Sequence, residues 1–148
     1  MRPDINTYFT EMAKLVASRS TCTHRQVGCV LVDKDNHILS TGYNGAPRGV
    51  SHCTEQPEGF KCDSDLYGRE YCIATHAEQN ALLQCGDVSK IETCYVTCSP
   101  CMQCMKLLLN TSCRRIVYIE GYSSQNDSAM KVWQNTGRKW EQYGILPT

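Results

Sequence analysis

Two β-rich runs, ETCYVT at 92–97 and RIVYIE at 115–120, are separated by a stretch from about Cys101 to Leu109 whose apolar spacing predicts a helix. Two strands joined through a helix lie parallel, and the crossover is right-handed. That unit commits the chain to an α/β sheet with helices packed on it. Upstream, VGCVLV (27–32) and HILSTGY (37–43) flank the polar turn DKDN and predict an antiparallel hairpin. The first of these runs is apolar throughout and therefore central. The sheet is thus expected to be mixed. Ile5, Tyr8, Phe9, Met12, Leu15 and Val16 fall at helical spacing after Pro3, predicting an amphipathic helix that covers it. Short helices from about His76 to Gln84 and from about Ser128 to Asn135 follow, the second ended by Gly137. KWEQYGIL, at 139–146, offers an edge strand.

With 148 residues and no linker, repeat or low-complexity segment, the chain reads as one domain, 1–148. Fifteen basic and fifteen acidic side chains cancel without running in blocks, so no electrostatic footprint for nucleic acid is present and a small-molecule substrate fits better. The N-terminal stretch lacks the apolar core of a signal peptide, and nowhere do eighteen apolar residues run together, which points to a cytoplasmic protein with no membrane partner. Eleven cysteines are unusual in that setting, because a reducing cytosol disfavours disulfides and an odd count cannot pair off completely. Metal binding is the leading explanation for several of them. Residues 44–73 hold four glycines, two prolines and three cysteines with no sustained period, so something must order them.

The chemistry concentrates in two short stretches. In SPCMQC, Cys101 and Cys104 stand three apart at the start of a predicted helix, where unpaired N–H groups and the helix dipole favour thiolate, the form zinc binds. In HAEQN, His76 offers an imidazole. Two thiolates and one imidazole leave the fourth tetrahedral position of a zinc ion to water, a catalytic arrangement. Glu78, two residues beyond His76, is placed to move protons rather than to ligate. H-x-E followed by P-C-x-x-C is the known signature of zinc nucleobase deaminases.

Beyond that signature, VGCVLVDKDNHILSTGYNGAPRG, HAEQNALL and YVTCSPCMQC together resemble the deoxycytidylate deaminase family over about residues 10–125, with GYNG separating this family from its relatives. The resemblance implies a three-layer α/β/α fold with a five-stranded mixed sheet. It also implies hydrolytic deamination of dCMP to dUMP, which supplies thymidylate synthesis. Asn44 then matches the family's contact to the deoxyribose, with a turn role as the alternative, and Ala77 lies at the substrate. A monophosphate needs a cation, for which Arg25 is the candidate unless it is only solvated. Tyr122 lies where the family has an aromatic near the base and sugar, or it packs.

Members of the family also bind a second, structural zinc through cysteines placed like Cys22, Cys53, Cys62 and Cys72, with His52 as an alternative ligand beside Cys53. The remaining cysteines, Cys29, Cys85, Cys94, Cys98 and Cys113, read as core residues, and His24 and His37 as surface ones. The family is typically hexameric, activated by dCTP with magnesium and inhibited by dTTP, which makes Gly45 and Arg48 candidates for an effector site. Rival readings are a deaminase of cytidine or of tRNA adenosine, and a zinc-binding module without catalysis. The last has no need of Glu78.

Overall fold

A computed structural model of the chain describes residues 1–22, 24–52, 55, 72–121 and 126–144. Helix α1 (Ile5–Ala17) is followed by strands β1 (Gly28–Val32) and β2 (Ile38–Tyr43), helix α2 (Ala77–Gln84), strand β3 (Thr93–Cys98) and helix α3 (Met102–Leu109). Strand β4 (Arg115–Glu120), helix α4 (Asn126–Asn135) and strand β5 (Lys139–Gln142) complete the order, with one turn of 3-10 helix at Val88–Lys90. The five strands form one sheet in the order β2-β1-β3-β4-β5. β1 is antiparallel to both β2 and β3, whereas β3, β4 and β5 run parallel through two helical crossovers.

Why these runs become central strands is visible in the alternation of their side chains. Cys29 and Leu31 of β1, Cys94 and Val96 of β3 and Ile116 of β4 face a core built with Ala77 and Ala81 of α2, Met105 and Leu108 of α3 and Trp133 of α4. Val30, Val32, Tyr95 and Val117, one position along, face Phe9 and Ala13 of α1. Both faces are therefore covered, α1 on one side and α2, α3 and α4 on the other, which gives the three layers and accounts for the unbroken apolar run of β1, buried at every position. Of the cysteines read as core, Cys29, Cys94 and Cys113 are fully buried and Cys98 nearly so, while Cys85 is half-buried.

The hairpin turns where DKDN predicts. Asp33 accepts from the N–H groups of Asp35 and His37, both at 2.9 Å, and Asn36 takes the left-handed conformation at φ 64°. β5 is the expected edge strand, and Trp133 donates to the carbonyl of Lys139 at 2.8 Å to tie α4 to it.

Of the stripe read on α1, Phe9, Met12 and Val16 pack on the core, whereas the other half does not. The buried residues are Phe9, Thr10, Ala13 and Ala17, while Ile5, Tyr8 and Leu15 are exposed. The reason is the depth of packing. A methyl group added at Gly28 would lie 2.0 Å from the carbonyl of Ala13 and 2.5 Å from the nitrogen of Ala17, so only small residues fit between this helix and β1. The same device seats α2. A methyl group at Gly42 would lie 2.3 Å from both the carbonyl of Ala77 and the nitrogen of Ala81. Among the described residues no helix is long and apolar enough to cross a membrane.

The long segment 44–73 is closed at its base. Gly45 and Thr75 form an antiparallel bridge, with Thr75 donating to the Gly45 carbonyl at 2.8 Å and Gly45 donating back at 3.2 Å. The chain thus leaves β2 and returns to α2 through one pinned point.

Because α2 carries the imidazole and carboxylate of the predicted site, Gly42→Ala is expected to cost stability by about 1–3 kcal/mol, the usual range for overpacking, and to weaken zinc uptake as well. Gly28→Ala should lower stability without touching the metal. Thermal unfolding read beside zinc content checks this, and a Gly42→Ala variant that unfolds at the parent temperature with unchanged zinc would contradict it.

Candidate metal and catalytic site

Two helices begin at one place. α2 opens with His76 in extended conformation at its N-cap, and α3 opens with Cys101 in the same position. The Nδ1 atom of His76 lies 3.3 Å from Cys104 Sγ and 3.6 Å from Cys101 Sγ. The three donor atoms all lie within 4.8 Å of one another. Around tetrahedral zinc, a nitrogen at about 2.0–2.1 Å and a sulfur at about 2.3 Å stand about 3.6 Å apart. The three side chains therefore fit the ion, and the site has the three protein ligands that leave a fourth position open.

The electrostatics agree with the donor set. The Cys101 thiol is brought down to about 4, first by the hydrogen bond from Cys104 and then by His76, so it is a thiolate at neutral pH. Cys104, fully buried, is held well above the ordinary thiol range because it keeps the proton that the pair shares. A cation arriving between them displaces that proton.

Glu78 is 5 % exposed. Burial pushes its carboxyl up to about 7, the Cys101 thiolate pushes in the same direction, and His76 opposes. A carboxyl that titrates near neutrality can both take and give a proton at working pH. Each of the residues singled out from HAE and PCMQC is thus in one cluster, with Ala77, almost fully buried, between the imidazole and the carboxyl in sequence.

Two further residues set this geometry. Gln79 Oε1 accepts from the main-chain N–H of His76 at 2.8 Å, which fixes the N-cap residue. Asn80 Nδ2 donates to the carbonyl of Tyr43 at 2.8 Å and so ties α2 to the GYNG segment. Neither belongs to the metal motif. The glutamine could have been found from its spacing, three residues after the N-cap.

Asn44 is buried and is bound on several sides. Its Oδ1 accepts from Ser20 Oγ at 2.6 Å and from Val27 N at 2.8 Å, and its Nδ2 donates to the carbonyl of Arg25 at 2.6 Å. It therefore clasps the loop between α1 and β1, and the left-handed turn role is not the one it plays, since Asn36 alone among the described non-glycine residues has positive φ. Arg25, half-buried, directs Nη1 to Cys98 Sγ at 3.0 Å. Gly45 is buried at the bridge, where an added methyl would meet Thr21 Oγ1 at 2.9 Å. Arg48 is exposed on a tight turn in which Val50 donates to the Pro47 carbonyl at 3.0 Å and Gly49 takes φ 86°.

Cys22 is buried and Cys72 half-buried, whereas Cys53, Cys62 and Tyr122 lie outside the described residues. His52 is exposed, as are His24 and His37. Among the described residues a second group of ligand-type side chains, Asp33, Asp35 and His37, sits on the β1–β2 turn, with the Asp33 carboxylate engaged in holding that turn.

A mixed sheet brings a histidine and two cysteines to the openings of two adjacent helices, with a buried carboxylate beside them, and so defines an α/β protein whose donor set fits zinc. Residues 3–120 match the family described as cytidine and deoxycytidylate deaminase zinc-binding region, and the chain belongs to it. It is 37 % identical over 147 residues to the deoxycytidylate deaminase of Saccharomyces cerevisiae, covering 98 % of this chain and 46 % of the yeast protein. It is 40 % identical over 123 residues to the deoxycytidylate deaminase of Mycobacterium phage D29, covering 79 % of this chain and 95 % of the phage protein. The chain thus spans about half the length of the yeast relative and nearly all of the phage one. The crystal structure of the dCMP deaminase of cyanophage S-TIM5 in complex with dCMP and dUMP superposes with a TM-score of 0.77 at 26 % identity, over 96 % of this chain and 98 % of that one.

Replacing Cys101 or Cys104 by serine is expected to remove the zinc held here, since a neutral hydroxyl is a far poorer ligand than thiolate. Metal analysis of the purified variants checks it, and an unchanged zinc stoichiometry would contradict the assignment.

Proposed function

We propose that this chain catalyses the hydrolytic deamination of dCMP to dUMP with release of ammonia, providing dUMP for thymidylate synthesis. The observation that carries the reading is the buried Glu78 carboxyl beside an open three-ligand donor set. Relatives named deoxycytidylate deaminases, one of them of nearly the same span as this chain, support the choice of base and nucleotide.

Zinc held by His76, Cys101 and Cys104 supplies the Lewis acidity that ionises water near neutral pH. Glu78 takes the proton that the attacking water gives up, since its carboxyl is close to half-ionised there. It passes that proton to N3 of the cytosine while the oxygen bonds to C4. It then takes the proton of the hydroxyl now on C4 and gives it to the amine as the C4–N bond breaks and the C4 carbonyl forms, so water and dCMP become dUMP and ammonia. Ala77 offers a first-turn N–H, one of those a helix cannot pair internally, to the base. Asn44, whose Oδ1 is already filled, meets the sugar through the second hydrogen of its amide. Arg25 pairs with the 5′-phosphate, and Tyr122 stands near base and sugar.

The finer proposals concern regulation and assembly. Cys22, Cys53, Cys62 and Cys72 hold a structural zinc. Supporting this, Cys22 follows Thr21, which packs against Gly45, and Cys72 is three residues from Thr75, Gly45's bridge partner. A closed metal site would continue the ordering that this bridge begins. Gly45 and exposed Arg48 belong to an effector site taking dCTP with Mg²⁺ as activator and dTTP as inhibitor, in a cytoplasmic homohexamer.

Ammonia release from dCMP, dCTP, cytidine and deoxycytidine tests the central reading. dCMP is expected to be turned over with the highest kcat/KM; a preference for cytidine, or no turnover of any of the four, would overturn it. Glu78→Gln should keep zinc near the parent level and lose about 10²–10⁴-fold in kcat, the usual worth of a general acid–base group. Wild-type turnover in that variant would remove Glu78 from the mechanism. Metal analysis should find two zincs per subunit, falling to one in Cys22→Ala; a single zinc in the parent protein would dispose of the structural site.

A further inference from the structure

Arg25 is gripped at both ends. Its carbonyl accepts from Asn44 Nδ2 at 2.6 Å, and its guanidinium donates from Nη1 to the Cys98 sulfur at 3.0 Å. Asn44 is itself held by Ser20 and Val27, and Gly28 N, three residues on, donates to Thr97 Oγ1 at 3.1 Å, which lays the start of β1 beside the end of β3. The loop bearing Arg25 therefore has little freedom to move its main chain, and the contact to Cys98 helps to fix where the charged end goes.

Cys98 is the last residue of β3, three before the ligand Cys101, and is 6 % exposed. A cavity of about 250 Å³ opens at this point, lined by Arg25, Gln26, Thr97 and Cys98, by Lys14 of α1 and Ser18 at its C-cap, and by Glu120 at the end of β4, the one acidic residue against the two cations. Arg25 thus lines this cavity while its guanidinium is held by the sulfur at the end of β3. Burial raises the Cys98 thiol above its ordinary value, so at neutral pH it remains uncharged despite the neighbouring arginine. A neutral sulfur orients a guanidinium through a lone pair without neutralising it. A carboxylate in the same place would do both, and would weaken the cation as an anchor for an anion.

We propose that Cys98 is a positioning residue for nucleotide selectivity: its sulfur holds the Arg25 guanidinium in the orientation that accepts the 5′-phosphate of the substrate. The inference rests on the reading of Arg25 as the phosphate partner. It assigns the residue just beyond YVT, at the end of β3, a role that acts through another side chain and not on the reacting atoms.

The test is steady-state deamination of dCMP, with zinc content measured in parallel, by the parent protein and by Cys98→Ala, Cys98→Ser, Arg25→Ala and the Arg25→Ala/Cys98→Ala pair. Cys98→Ala should raise KM by about tenfold, the scale of a lost charge-assisted hydrogen bond, while kcat and zinc hold. Cys98→Ser should restore most of the loss, because a hydroxyl accepts from a guanidinium as well. The double variant should be no worse than Arg25→Ala alone, since the sulfur acts only through the arginine. A sulfur that merely packs would instead lower kcat or zinc content, would not be rescued by serine, and would add to the arginine substitution. Parental KM in Cys98→Ala together with a raised KM in Arg25→Ala overturns the positioning role and leaves the phosphate reading standing. Parental KM in Arg25→Ala overturns both.

Discussion

His76, Cys101 and Cys104 place their donor atoms within 4.8 Å of one another although 24 residues separate the first two, and that closure depends on two helices beginning side by side. A helix can be set that accurately only if what lies under it is close and stiff. For α2 this is the backbone of β2 at Gly42, against which Ala77 and Ala81 pack with no room for a methyl group. Asn80 bonding the Tyr43 carbonyl and Gln79 bonding the His76 N–H then remove the remaining freedoms of rotation at the helix end. For α3 it is the crossover between two parallel strands, which fixes where the chain must turn after Cys98. The metal site is in this sense a by-product of sheet geometry.

The same closure generates the proton chemistry. Crowding a carboxylate and two sulfurs into a buried corner raises the cost of each added negative charge, so the charges sort themselves: Cys101 ionises, Cys104 keeps its proton and Glu78 is left near neutrality. A cation in the donor set relieves the sulfurs. The carboxyl, which lies outside the donor triad, keeps its raised titration, the property on which the proposed proton transfer rests. Structure and reactivity therefore share one cause, the burial of Glu78 at the opening of α2.

Much of this was legible in the sequence, for identifiable reasons. β1, covered on both faces, reads as an unbroken apolar run, and the helix between ETCYVT and RIVYIE dictates the parallel pair. The metal ligands could be read because their spacing carries chemistry. What could not be read was depth. In α1 the apolar spacing of Ile5, Tyr8, Phe9, Met12, Leu15 and Val16 predicts the buried face, but close packing on Gly28 centres that face on Ala13 and Ala17, keeps Phe9, Met12 and Val16 against the core and leaves Ile5, Tyr8 and Leu15 outward. The bridge between Gly45 and Thr75 joins positions thirty residues apart by main-chain atoms alone, and so leaves no trace in side-chain pattern. Asn44 was singled out as a substrate contact by resemblance; its three loop contacts depend on where Ser20, Arg25 and Val27 come to lie, which no local spacing encodes.

The central claim is that His76, Cys101 and Cys104 ligate one zinc while Glu78 stands beside it uncoordinated. A crystal structure of the zinc-loaded protein, with the metal located by anomalous scattering at the zinc edge, addresses it directly. The account predicts a zinc peak at about 2.0–2.3 Å from His76 Nδ1, Cys101 Sγ and Cys104 Sγ, with its fourth position open to solvent. A peak ligated by Glu78, or one whose fourth ligand is another protein side chain, would contradict it.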